Sequence, residues 1–156
     1  MLKDKITKYI AIMSFSVFIG FAILNSGNAY AKKMKVITTS TDLKSIAEYI
    51  GGNRVDVESI TKGYANPHEV DAKPSFMVKL RKADVFIRIG LDLEQWAQLL
   101  IDGARNPQIR FGAPGHVIAS VGVDLQGLAV RGGAMIDRSL GDVHIYGNPH
   151  FWLDPL

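Results

Sequence analysis

The stretch MKVITTSTDLKSIAEYIGGNRVDVESI, Met34 to Ile60, decides the fold. Its first six residues are rich in β-branched side chains and read as a strand. Thr41 and Asp42 stand where a helix N-cap belongs. Leu43, Ile46, Ala47 and Ile50 then recur at helical spacing, which predicts a short amphipathic helix over 42–50. Gly51-Gly52 comes next and stops it. Val55 and Val57 alternate with polar residues, and Ile60 closes a second strand. Strand, helix and strand within 27 residues make a βαβ unit. The two strands of such a unit are parallel and joined by a right-handed crossover.

Downstream the pattern repeats. A loop, TKGYANPHEVDAKP, runs from Thr61 to Pro74. Pro74-Ser75 opens a helix, since proline is tolerated in the first turn, and Phe76, Met77, Leu80 and Ala83 give it an apolar side. ADVFIRIG, Ala83 to Gly90, reads as a third strand. Val85, Ile87 and Ile89 share one face, and Phe86 breaks the polar alternation. A strand apolar on both faces suits a sheet covered on both sides. Asp92 and Gln95 match a capping box. Leu93, Trp96, Ala97, Leu100 and Ala104 line one side of a helix to about Arg105, with Trp96 read as a core residue. Beyond Asn106-Pro107 only Val117 to Val121 suggests a strand. Eight glycines fall in the 36 residues from Gly112 to Gly147, which read as loops and turns. The fold class is α/β, an open and mostly parallel sheet flanked by helices.

Upstream lies a different kind of segment. Residues 1–31 carry Lys3, Lys5 and Lys8, an apolar run of 16 residues from Tyr9 to Leu24, and Ala29-Tyr30-Ala31. This is the three-part layout of a secretory signal peptide cleaved before Lys32. The run is short for a membrane span of about 20 residues. The domain division is therefore 1–31 and 32–156. The first part holds three Lys and one Asp of the chain's 18 basic and 15 acidic residues, which leaves 15 against 14. A nearly neutral domain lacks the basic footprint of nucleic-acid binding. With no cysteine, thiol chemistry, disulfides and a lipoprotein-type signal are excluded.

Four histidines remain: His68, His116, His144 and His150. His68 and His150 share a local form, Asn-Pro-His. Proline fixes its own φ and drives the preceding asparagine toward extended backbone, so each imidazole is carried on a stiff loop. His68 also follows the second strand, where ligands gather in open α/β sheets. Imidazole is a common ligand of zinc and other late divalent metals. On residue type alone, two readings stand side by side: surface histidines on ordinary turns, or half of a metal or substrate site. Glu69 and Asp71 either lend negative potential or form a solvated loop face. Asp154 either accepts a bond from a ligating imidazole or caps a turn. No HExxH, GxGxxG, GxSxG or P-loop pattern occurs, and Ser75 and Ser120 have no evident base partner.

Taken together, TTSTDLKSIAEYIGGNRVDVESIT, NPHEVDAKPS, KLRKADVFIRIGLDLEQW and GDVHIYGNPHFWLDP resemble, in order and spacing, the metal-binding receptors of zinc and manganese ABC importers. These are the cluster A-I solute-binding proteins, some of them surface lipoproteins once described as adhesins. The resemblance covers Met34 to Leu156 and implies the N-terminal lobe of a two-lobed receptor roughly twice this length. It implies His68 and His150 as the first two metal ligands, the others belonging to the second lobe. His144 beside the site and His116 are not implied as ligands. The ion implied is zinc, with manganese as second choice. The partner implied is an inner-membrane ABC permease, the location periplasmic, and the full-length receptor monomeric and not an enzyme. A metal-dependent hydrolase and a surface adhesion protein are the alternatives. The glycine-rich stretch from 112 to 147 departs from the His- and acid-rich loop common in zinc members. Co-ligation further implies that both histidine loops leave the same sheet edge, with His116 elsewhere.

Overall fold

The structure is a computed structural model; it describes residues 32–123 and 149–153, together with Met13. Four parallel strands form one sheet in the order β2-β1-β3-β4. They are β1 (Met34–Thr38), β2 (Val55–Ser59), β3 (Val85–Arg88) and β4 (His116–Ile118). The helices are α1 (Thr41–Gly51), α2 (Pro74–Arg81) and α3 (Trp96–Ala104). The chain moves outward from β1 to β2, then returns to place β3 on the other side of β1. The point where the order reverses lies between β1 and β3. Right-handed crossovers then put α1 on one face and α2 and α3 on the other.

The two faces are filled unequally. On the α2 and α3 side, Ile37, Leu80, Phe86, Ala97, Leu100, Ile101, Ala104 and Ile109 form the larger core. On the α1 side the buried cluster is Leu43, Ile89 and Leu93. Phe86 thus points into the larger core while Ile87 and Ile89 serve the smaller one, and β3 is apolar on both faces for that reason. Buried Asn106 ties the end of α2 to the turn after α3. Its amide donates to the carbonyls of Leu80 (2.9 Å) and Ala83 (2.7 Å), and its oxygen accepts from the Gln108 backbone at 3.0 Å.

Local details differ from the sequence expectations in four places. The N-cap of α1 is Ser40, whose hydroxyl accepts from the Leu43 backbone at 3.2 Å, and Thr41 is already helical. On α1 only Leu43 is buried, whereas Ile46, Tyr49 and Ile50 are exposed. Only the first turn of the helix meets the smaller core. The strand expected at Val117 to Val121 begins one residue earlier and ends at Ile118. The largest difference is at Asp92, which does not cap a helix. Gly90, Leu91 and Asp92 all adopt positive φ (91°, 56° and 63°), whereas an N-cap needs extended backbone. The chain turns through Leu91–Gln95 before α3 begins at Trp96.

That turn is held by Glu94, which is 1% exposed. One carboxylate oxygen accepts from the Thr39 hydroxyl and from the Ile89 backbone, both at 2.7 Å. The other accepts from the Gly90 backbone at 2.9 Å. Thr39 directly follows β1 and Ile89-Gly90 directly follow β3, so one carboxylate joins the chain at the carboxyl ends of the two central strands. Charge-assisted bonds of this length are the strong class. Replacing Glu94 by alanine would leave buried backbone N–H groups without partners, at about 1–3 kcal/mol each. Urea denaturation should therefore show E94A destabilised by roughly 4 kcal/mol, E94Q by roughly 2 and T39V by roughly 1. An E94A midpoint indistinguishable from that of the parent would contradict the clamp.

Candidate metal site

The first histidine loop is built from its own backbone outward. Pro67 fixes the chain entering His68. The Asn66 side chain accepts from the His68 backbone N–H at 3.1 Å, and the Asn66 carbonyl accepts from the Glu69 N–H at 3.2 Å. This is the turn expected where asparagine mimics a backbone carbonyl. Two residues beyond, Val70 and then Ala72 pack against the larger core. From across the loop, the Trp96 indole N–H donates to the Pro67 carbonyl at 2.8 Å. The loop is thereby tied to the first residue of α3.

The second histidine is anchored on the opposite face. Pro149 is fully buried and His150 half-buried. Phe151 and Trp152 pack against the smaller core of Leu43, Ile89 and Leu93. Their rings meet edge to face at 5.8 Å, and Trp152 lies 5.4 Å from the His150 ring. Both anchors trace to the carboxyl end of β3. Leu93 is part of the cluster that receives the second loop, and Trp96, three residues on, receives the first.

The two imidazoles come together at that edge, with ring centres 6.2 Å apart at an interplanar angle of 56°. Both are half-buried. Two imidazoles on one zinc ion, each about 2.0–2.1 Å from it, have ring centres roughly 5 Å apart at a tetrahedral angle. The pair is therefore about 1 Å more open than a shared ion requires, a gap that side-chain rotation can close. Among the described residues no group of three or more His, Asp or Glu side chains is arranged to hold a metal. Glu69 and Asp71 are exposed, on the solvated side of their loop. His144 and Asp154 lie outside the described residues.

His116 belongs to a different environment. It opens β4 opposite Phe86. Its ring lies 6.0 Å from that of Phe86 and 5.8 Å, edge-on, from that of Phe111. Both ring nitrogens are buried without a hydrogen bond of acceptable geometry. Burial, and then the nearby Arg88 guanidinium, push its pKa below the ordinary histidine value, with the Arg110 backbone opposing them. A cavity of about 470 Å³ opens at the far, amino-terminal edge of the sheet, lined by residues including Met34, Asp84 and Gly115. It is remote from the histidine pair.

Comparison with known proteins fixes the relationship. Residues 36–156 match the family of ZnuA, the periplasmic component A of the zinc-uptake complex. The chain belongs to that family. It is 32% identical over 146 residues to the iron-binding protein YfeA of Yersinia pestis, covering 92% of this chain and 42% of YfeA. It is 26% identical over 123 residues to PsaA of Streptococcus mitis, a manganese ABC transporter substrate-binding lipoprotein, covering 76% of this chain and 38% of PsaA. A crystal structure of ZnuA shares the fold, with a TM-score of 0.57 at 21% identity over 80% of this chain and 43% of that one. The chain thus spans less than half the length of the relatives it matches. The α/β architecture, with its parallel sheet between helices, agrees with the N-terminal lobe of a two-lobed metal receptor.

Two contributors escaped the sequence reading. Glu94 was legible in principle: it stands three and seven residues before Ala97 and Ile101, in line with the apolar stripe of the helix expected from Asp92. The Trp96 bond to Pro67 joins segments 29 residues apart and has no local signal.

The lowered pKa of His116 makes acid sensitivity testable. The unfolded chain takes up this proton more readily than the fold does. Stability from His116 is therefore complete above the ordinary histidine pKa of about 6.5 and lost as pH falls below it. Thermal unfolding between pH 8 and pH 5 should show a smaller acid-side fall in H116L than in the parent. Equal slopes would contradict this assignment.

Proposed function

We propose that this chain is the N-terminal lobe of an extracytoplasmic receptor that captures a divalent metal ion for an ABC importer, with His68 and His150 as its share of the ligands. The observation that carries the reading is the 6.2 Å approach of two imidazoles whose residues lie 82 positions apart. Each is carried on its own Asn-Pro-His loop and anchored to an opposite face of the sheet. Family membership supports the setting we propose: periplasmic capture, delivery to an inner-membrane permease, and binding without catalysis. Residues 1–31 then serve as the export signal, removed before Lys32.

Zinc is the ion we assign. Two nitrogen donors suit it, and it accepts tetrahedral sites of mixed nitrogen and oxygen ligands. The names of the family and its relatives divide among zinc, iron and manganese, so the remaining ligands set the final preference. More carboxylate would favour manganese.

Isothermal titration with zinc, and separately with manganese, tests the reading. H68A and H150A should each weaken zinc binding by more than about tenfold, the loss that removal of even an outer-sphere partner produces. H116A should bind as the parent does. Zinc competes with protons for imidazole, so affinity should fall as pH falls. Undiminished zinc binding by both H68A and H150A would remove the proposal, and tighter manganese than zinc binding would reverse the choice of ion.

A further inference from the structure

We infer that Trp96 is a positioning residue for the metal site: its indole N–H holds the His68 loop in the binding geometry. The inference rests on the metal-site reading above and adds to it the group that sets the place of His68. Three observations converge. The indole N–H donates to the carbonyl of Pro67, the residue directly before His68, at 2.8 Å. The ring is half-buried and packs against the larger core, so the donor is fixed in place. The Trp96 backbone is the first residue of α3 and lies two positions from Glu94, the carboxylate that joins β1 and β3.

An indole N–H is a donor only, and the Pro67 carbonyl is an acceptor only. The pairing therefore works in one direction. A half-buried indole N–H needs an acceptor, but water or any nearby carbonyl could serve a tryptophan that only packs. Here the polar end of the ring reaches out of the core to the peptide that enters His68. Asn66 holds the other side of that peptide through the His68 N–H at 3.1 Å. The backbone around His68 is thus gripped at the carbonyl before it and at its own amide. Ordering this loop before the ion arrives removes a conformational cost from binding.

The test compares W96F with H68A in the full chain, using zinc alone as probe. W96F keeps an aromatic ring and removes the donor. It should weaken zinc binding by about fivefold, the ratio that one net hydrogen bond of about 1 kcal/mol sets. Coupling between the sites is reciprocal. In the unchanged protein, zinc should therefore slow hydrogen exchange of the Trp96 indole proton by a comparable factor, a response that simple core packing would not give. W96F binding zinc as the parent does, while H68A loses it, would overturn the positioning role and leave the metal site standing. H68A binding as the parent does would overturn the metal site and this inference together. Should W96F fail to fold, the exchange measurement decides alone: indole exchange unchanged by zinc would overturn the inference.

Discussion

The fold turns on one buried carboxylate. Parallel sheets of this order leave a gap at the point where the strand sequence reverses, and ligand sites form beside that gap. In this chain Glu94 occupies it, accepting from Thr39 on one side and from Ile89 and Gly90 on the other. A buried carboxylate is tolerated only where donors surround it, and here each bond is also a structural tie between β1 and β3. The backbone after β3 conforms to this demand. Three successive residues take positive φ, two of them not glycine, a costly arrangement that delivers the Glu94 side chain to the gap.

Everything near the histidine pair depends on the turn so formed. Leu93 belongs to the smaller core, against which Phe151 and Trp152 pack. Trp96 faces the larger core and receives the Pro67 carbonyl. Within four residues, Leu93 to Trp96, the end of the turn and the start of α3 supply the strand clamp, part of the cluster behind the second loop and the anchor of the first. The separation of the two imidazoles is therefore set by rigid elements rather than by the loops alone, which is how a site of defined geometry is held. His116 shows the contrast. It lies on a strand, between Phe86 and Phe111, with no hydrogen bond to its ring nitrogens. Its environment disfavours charge and provides no converging ligand among the described residues.

Much of this was legible in the sequence. Among the described residues, the period-2 and helical patterns located the four strands and three helices, most directly α3, which buries Ala97, Leu100, Ile101 and Ala104. The Asn-Pro-His repeats marked the two loops, because proline stiffness is written into the residue type. The turn from Leu91 to Gln95 was not legible. Asp92 and Gln95 matched the spacing of a capping box, but the pull of Glu94 toward the strand ends placed Asp92 in left-handed backbone and delayed α3 to Trp96. Long-range satisfaction of a buried charge outweighed a local capping preference. The exposed Ile46 and Ile50 of α1 show a second limit. Periodicity identifies an apolar stripe but does not say how much of it a neighbour covers.

The proposed receptor stands or falls on whether His68 and His150 bind one ion at the carboxyl edge of the sheet. A crystal structure of the zinc-loaded protein measures this most directly. Zinc should be bonded to nitrogens of both rings at about 2.0–2.1 Å. The ring centres should move from 6.2 Å to roughly 5 Å apart. Zinc held by only one of these histidines, or at another site with the rings left apart, would contradict a shared site.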